Sequence, residues 1–132
     1  MIALDTNILA RLVCKDHPQQ LLAARQLVKE NACFIPLTVT LELEWVLHAA
    51  YRLERSVIGD TYAALLQVRN LHFEREPAIQ QAVVYYRAGM DFADALHQAG
   101  AEGCEALATF DKSFAAISQQ SGAAPTVRLI EV

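Results

Sequence analysis

Twice in this chain a short apolar run ends near an aspartate and passes into helical periodicity, and this recurrence constrains the fold more than any other feature. Ile2 to Leu4 is followed by Asp5-Thr6-Asn7, after which Ile8, Leu9, Leu12 and Val13 return at helical spacing. Ala106 to Thr109, read as a buried strand, leads into Asp111 and a helix through Phe114 and Ile117. Cys33-Phe34-Ile35, bounded by Asn31 and Pro36, is a further short strand. Leu71-His72-Phe73 reads as a short extended piece, and Val127 to Ile130 as a last strand by its β-branched content. Helices are predicted from Pro18, from Thr38 to about Arg52, over Val57 to Val68, from Pro77 to about Ala88, and from Phe92 to Ala101 after the stop at Gly89-Met90-Asp91. Strands that alternate with helices predict an α/β fold, a three-layer α/β/α sandwich around a mainly parallel central sheet of four to five strands.

With 132 residues, 54% of them hydrophobic, the chain is read as one domain over 1–132. That length buries about two-thirds of the surface exposed by the unfolded chain. Apolar stretches are interrupted well short of the ~20 residues needed to span a bilayer, so no membrane segment is expected. The start Met1-Ile2-Ala3-Leu4-Asp5 lacks the basic region of a signal peptide, and a cytoplasmic protein is expected. Cys14, Cys33 and Cys104 show neither CxxC nor Cys/His metal spacing and read as buried free thiols. The formal charge of −4 argues against holding nucleic acid by bulk electrostatics, so any such contact must be local or metal-assisted.

In open α/β sheets, functional groups gather outside the carboxyl ends of the strands. Asp5, Glu42, Asp91, Asp94 and Asp111 all fall at such places in the predicted arrangement. Taken singly, each has a plainer role, because Asp is a preferred N-cap and acids suit the first turn of a helix. Asp91 and Asp94, three residues apart, also fit a reciprocal cap. The conjunction points elsewhere, since several carboxylates at strand ends repel one another unless a cation compensates them. Mg²⁺ takes carboxylate and water oxygens and keeps positions open for a phosphate, which makes phosphodiester hydrolysis the natural chemistry. Glu44 is a rival to Glu42: each lies about 100° from Leu43 around the helix, on opposite borders of the apolar stripe. Periodicity does not choose between them, and nearness to the helix start favours Glu42. There is no glycine-rich phosphate loop, and His17, His48, His72 and His97 lack metal spacing, with only His97 close to the proposed acids.

Leu4-Asp5-Thr6-Asn7, Leu41 to Leu47 around Glu42 and Glu44, Asp91-Phe92-Ala93-Asp94-Ala95-Leu96-His97 and Thr109-Phe110-Asp111 together resemble the successive motifs of PIN domains, in order and over essentially the whole chain. The branch they resemble most is that of the small VapC-like toxin ribonucleases of type II toxin–antitoxin systems. The resemblance implies that Asp5, Glu42, Asp94 and Asp111 form an acidic metal site, with Asp91 an additional acid near the metal or its waters and Glu44 structural. Thr6, Asn7 and Thr109 would orient carboxylates or waters by hydrogen bonding. It implies further an endoribonuclease that uses Mg²⁺ or Mn²⁺ on structured RNA such as tRNA or rRNA, leaving a 5′-phosphate and a 3′-hydroxyl. The implied partners are a cognate antitoxin and a second copy of the chain in a homodimer, with operator DNA bound only through the antitoxin.

Two other classes of reading compete, a non-catalytic scaffold and a different metal-dependent phosphoryl enzyme. A non-catalytic PIN-like scaffold would have no reason to keep the acids. A phosphatase of the haloacid-dehalogenase type would carry a second aspartate where Asn7 stands, and a flap-nuclease relative would need DNA-holding segments that 132 residues do not contain. Arg52, Arg55, Arg69, Arg75 and Arg87 offer an RNA-positioning edge, although ordinary solvated charge is the preferred reading. For Leu21, Leu22 and the Trp45 region, core packing is preferred to a partner groove.

Overall fold

The computed structural model describes residues 1–132. It divides into two compact units, Met1–Glu76 and Pro77–Val132. The first contains β1 (Ile2–Ala3), α1 (Thr6–Cys14), α2 (Pro18–Glu30), β2 (Cys33–Ile35), α3 (Leu37–Ala49), α4 (Arg55–Leu66) and β3 (Leu71–Phe73). Its three strands pair in the order β1-β2-β3, all parallel, with Ile2 opposite Cys33 and Phe34 opposite His72. Each parallel neighbour must be reached by a crossover, which the helical pairs α1–α2 and α3–α4 supply. The middle strand is the buried one: Cys33 and Ile35 are fully enclosed, together with Leu9, Leu43, Leu47, Ile58 and Tyr62 from the helices.

Local chemistry explains where these helices begin. His17 caps α2, its Nδ1 accepting from Gln20 N–H at 3.2 Å, and Pro18 takes the first helical position, where a missing N–H costs nothing. Pro36 has no side chain with which to cap α3. Glu74, just past β3, does so instead, accepting from Leu37 N–H at 3.1 Å. A carboxylate at a helix N-terminus also meets the positive end of the helix dipole. Tyr62 O–H donates to the Thr40 carbonyl at 2.5 Å and ties α4 to α3.

The second unit contains α5 (Glu76–Arg87, beginning one residue before the unit boundary), α6 (Phe92–Gly100), β4 (Ala106–Thr109), α7 (Lys112–Ser121) and β5 (Thr126–Leu129). β4 and β5 pair in parallel, with Ala106 opposite Thr126 and Thr109 opposite Leu129. Ala82, Tyr85, Met90, Ala95, Ala99 and Phe114 make its core, against which Leu107, Ile117 and Val127 pack. Gln98 is buried among them and donates through Nε2 to Ser118 Oγ and to the Pro125 carbonyl, both at 2.7 Å.

The α/β class and the parallel pairing agree with the sequence reading; the five strands form one ladder of three and one of two. Three expectations are corrected. Ala106–Thr109 is not buried: Ala108 is exposed and the other three are intermediate, because small residues on a strand with a single ladder neighbour cover little surface. Of the cysteines only Cys33 is buried, while Cys14 is partly buried and Cys104 exposed, although all three are free thiols as expected. Leu22 and Trp45 do not enter the core, being 67% and 66% exposed. No helix is long and apolar enough to cross a membrane.

Candidate active site

In the first unit, the ladder carries the chain to a carboxylate pair. Leu4 N–H still donates to the Phe34 carbonyl at 2.9 Å, so Asp5 is the first residue beyond the carboxyl end of the sheet register. Asp5 has extended backbone and caps α1, its Oδ1 accepting from Thr6 N–H at 2.8 Å. The buried Thr6 then turns its hydroxyl toward α3 and donates to Glu42 Oε1. One threonine thus bridges two accessible carboxylates from different elements. The acid that the Thr6 hydroxyl bonds is thus Glu42, not the half-buried Glu44. Asn7 is exposed and makes no comparable bond; it lines a cleft beside Ile8, Arg11 and Gln20.

In the second unit, Asp91, Asp94 and Asp111 gather. Asp91 caps α6, its Oδ2 accepting from Asp94 N–H at 3.1 Å, which fixes Asp94 in the first turn. Asp111 caps α7 through Oδ1 and Phe114 N–H at 3.0 Å, while its own N–H donates to Thr109 Oγ1 at 3.0 Å. The capping role weighed for Asp5, Asp91 and Asp111 is therefore real for all three. Because a cap occupies one oxygen, it leaves the second oxygen of each for other bonds.

Burial first, then the charges of Asp91 and Asp111, hold the Asp94 carboxyl above the ordinary aspartate value of 3.8, with His97 opposing them. Asp91 and Asp94 line an open cleft of about 380 Å³ together with Ser113, Ile117 and Gln120 of α7. The α7 residues recur at helical spacing, but their types carry no chemistry of their own, which is why sequence reading passes over Ser113 and Gln120.

The donor set suits a hard divalent cation. It consists of carboxylate oxygens, and Asp94 lies beside two like charges that an ion would neutralise. Within either unit no three His, Cys, Asp or Glu side chains form a closed cage. Mg²⁺ needs none, since it is commonly held by one or two carboxylates and keeps several waters.

The raised Asp94 carboxyl has a consequence for stability without metal. A group whose value is higher folded than unfolded contributes stability that is complete below its unfolded value, about 4, and is lost as pH rises through the folded value. In chelator, the melting temperature of the wild type relative to that of Asp94→Asn is expected to fall as pH rises above about 4. Parallel curves, followed by circular dichroism, would contradict the crowded environment described for Asp94.

A family model described as PIN domain matches residues 2–119. No curated protein and no solved structure matches the chain.

Proposed function

Because the chain belongs to the PIN-domain family, whose fold is of the nuclease type and whose members are typically nucleases, we propose that it is a metal-dependent endoribonuclease. The observation that carries this reading is the carboxylate set: Asp5 and Glu42 joined through Thr6 in one unit, and Asp94 charge-strained by Asp91 and Asp111 in the other. Asp5 and Glu42 in the first unit, and Asp94 and Asp111 in the second, are each proposed as carboxylate ligands of Mg²⁺ or Mn²⁺, with Asp91 an additional acid near the metal or its waters. When bound, the ion would neutralise these charges and lower the pKa of a hydrolytic water. The chain's own part is positioning. Thr6 fixes Glu42, Thr109 fixes the backbone at Asp111, and Asp91 fixes Asp94.

The finer assignment is a VapC-like toxin that acts on structured RNA such as tRNA or rRNA, works as a cytoplasmic homodimer and is neutralised by a cognate antitoxin. The family motifs and the exposed Leu22 and Trp45, which leave apolar surface for a protein partner, support it.

The test is induction of wild type and Asp5→Ala in a bacterial host, with sequencing of new RNA 5′ ends. Growth arrest and discrete 5′-phosphate ends with wild type alone are expected. If the soluble, folded wild type and variant give identical RNA profiles in the absence of antitoxin, the ribonuclease reading fails and a scaffold or another metal-dependent phosphoryl hydrolase remains.

A further inference from the structure

Phe110 stands between β4 and α7 with 70% of its surface exposed. Nothing in the fold requires an aromatic residue there, since an exposed ring contributes little of the stabilisation that a buried one provides. Its backbone is nevertheless fixed on both sides. Thr109 is held in the ladder, its carbonyl accepting from Ile130 N–H at 2.8 Å, and Asp111 is locked as the cap of α7. Ile130, the residue that follows β5, is itself 39% exposed. On the other side of Asp111, Lys112 is exposed. The order along the backbone is thus an accessible ring, a carboxylate and an accessible ammonium, all presented by a rigid strand–helix junction.

We propose that Phe110 is a substrate-positioning residue, its ring stacking on one unpaired nucleobase of the RNA beside the phosphodiester that is cleaved. The proposal rests on the ribonuclease reading and deepens it by naming the substrate feature recognised: an unstacked base rather than duplex. Stacking on an aromatic face holds bases of any identity, and it suits an acidic protein that has little bulk charge with which to hold phosphates. Lys112 supplies a local phosphate contact next to it.

The test uses the full chain, Mg²⁺ and a single-stranded oligoribonucleotide spanning a mapped cleavage site. Phe110→Ala is expected to raise KM about 5- to 100-fold with a smaller change in kcat. Phe110→Trp should restore KM, and Phe110→Leu, which keeps apolar area without a π face, should not. Replacing nucleotides one at a time by abasic residues should identify one position where the loss equals that of Phe110→Ala and does not add to it. An unchanged KM, full activity in Phe110→Leu, or additivity at every position would overturn the proposal while leaving the ribonuclease reading intact. Unchanged RNA kinetics with weakened binding of a protein partner would reassign the ring to that partner. Absence of cleavage by wild type would overturn both readings together.

Discussion

Asp94→Asn is expected to lower RNA cleavage at least about 100-fold, since even residues that only orient metal ligands typically cost 10- to 100-fold. Asn keeps the size of the side chain and removes its charge. The folded chain should not suffer for it, because Asp94 in its ionised form is disfavoured where it stands, beside Asp91 and Asp111. The decisive comparison is therefore single-turnover cleavage set against thermal stability with and without Mg²⁺. Wild type should gain stability from the ion by mass action, by roughly 2.7 kcal/mol at a hundredfold excess over Kd. Asp94→Asn should gain far less and should cleave poorly while folded. A variant that cleaves at the wild-type rate would remove Asp94 from the proposed site.

The second large effect is structural. Phe92, the first residue of α6, is 1% exposed and meets Tyr86 edge to face, with centroids 5.2 Å apart and planes at 84°. Phe92→Ala is expected to cost about 3–5 kcal/mol, from lost burial and the cavity left behind. For a chain of this length that lowers Tm on the order of 10–20 °C. Phe92→Leu, which refills most of the space, should cost under about 1.5 kcal/mol. Because Phe92 lies between the cap Asp91 and Asp94, the alanine variant should also weaken Mg²⁺-induced stabilisation. Chemical denaturation midpoints measured for both variants check the ordering, and equal losses would show that the ring is not packed as described.

All five strands and seven helices were legible in the sequence, because short apolar runs bounded by turn residues and amphipathic helices leave distinct patterns. Their ends were less so. The long helix expected to reach Arg52 stops at Ala49, and Arg52 adopts a left-handed conformation with φ 55°. Such a turn at a non-glycine residue is set by backbone bonds, here Leu53 N–H to the Leu47 carbonyl at 3.0 Å, and leaves no mark on hydrophobic spacing. The ordered motifs named the family that the chain proves to belong to. For the acids, sequence gave positions at strand ends, and the choice of Glu42 over Glu44 leaned only on helix register. The Thr6 hydroxyl bond that singles out Glu42 links residues 36 apart and was not available from local pattern. Nor was the exposure of Trp45 and Leu22, since an apolar residue on the border of a stripe looks the same whether it turns in or out.

Asp5, Asp91 and Asp111 each start a helix as well as standing among the proposed acids. Asparagine caps a helix about as well as aspartate does. Exchanging a single oxygen for an amide nitrogen at any of these positions would therefore preserve folding while removing negative charge. If the proposed roles of these acids hold, this architecture lies one conservative substitution from a folded but inert double of itself. Stability alone does not distinguish the two residue types at these positions, so helix capping by itself does not account for an aspartate at all three.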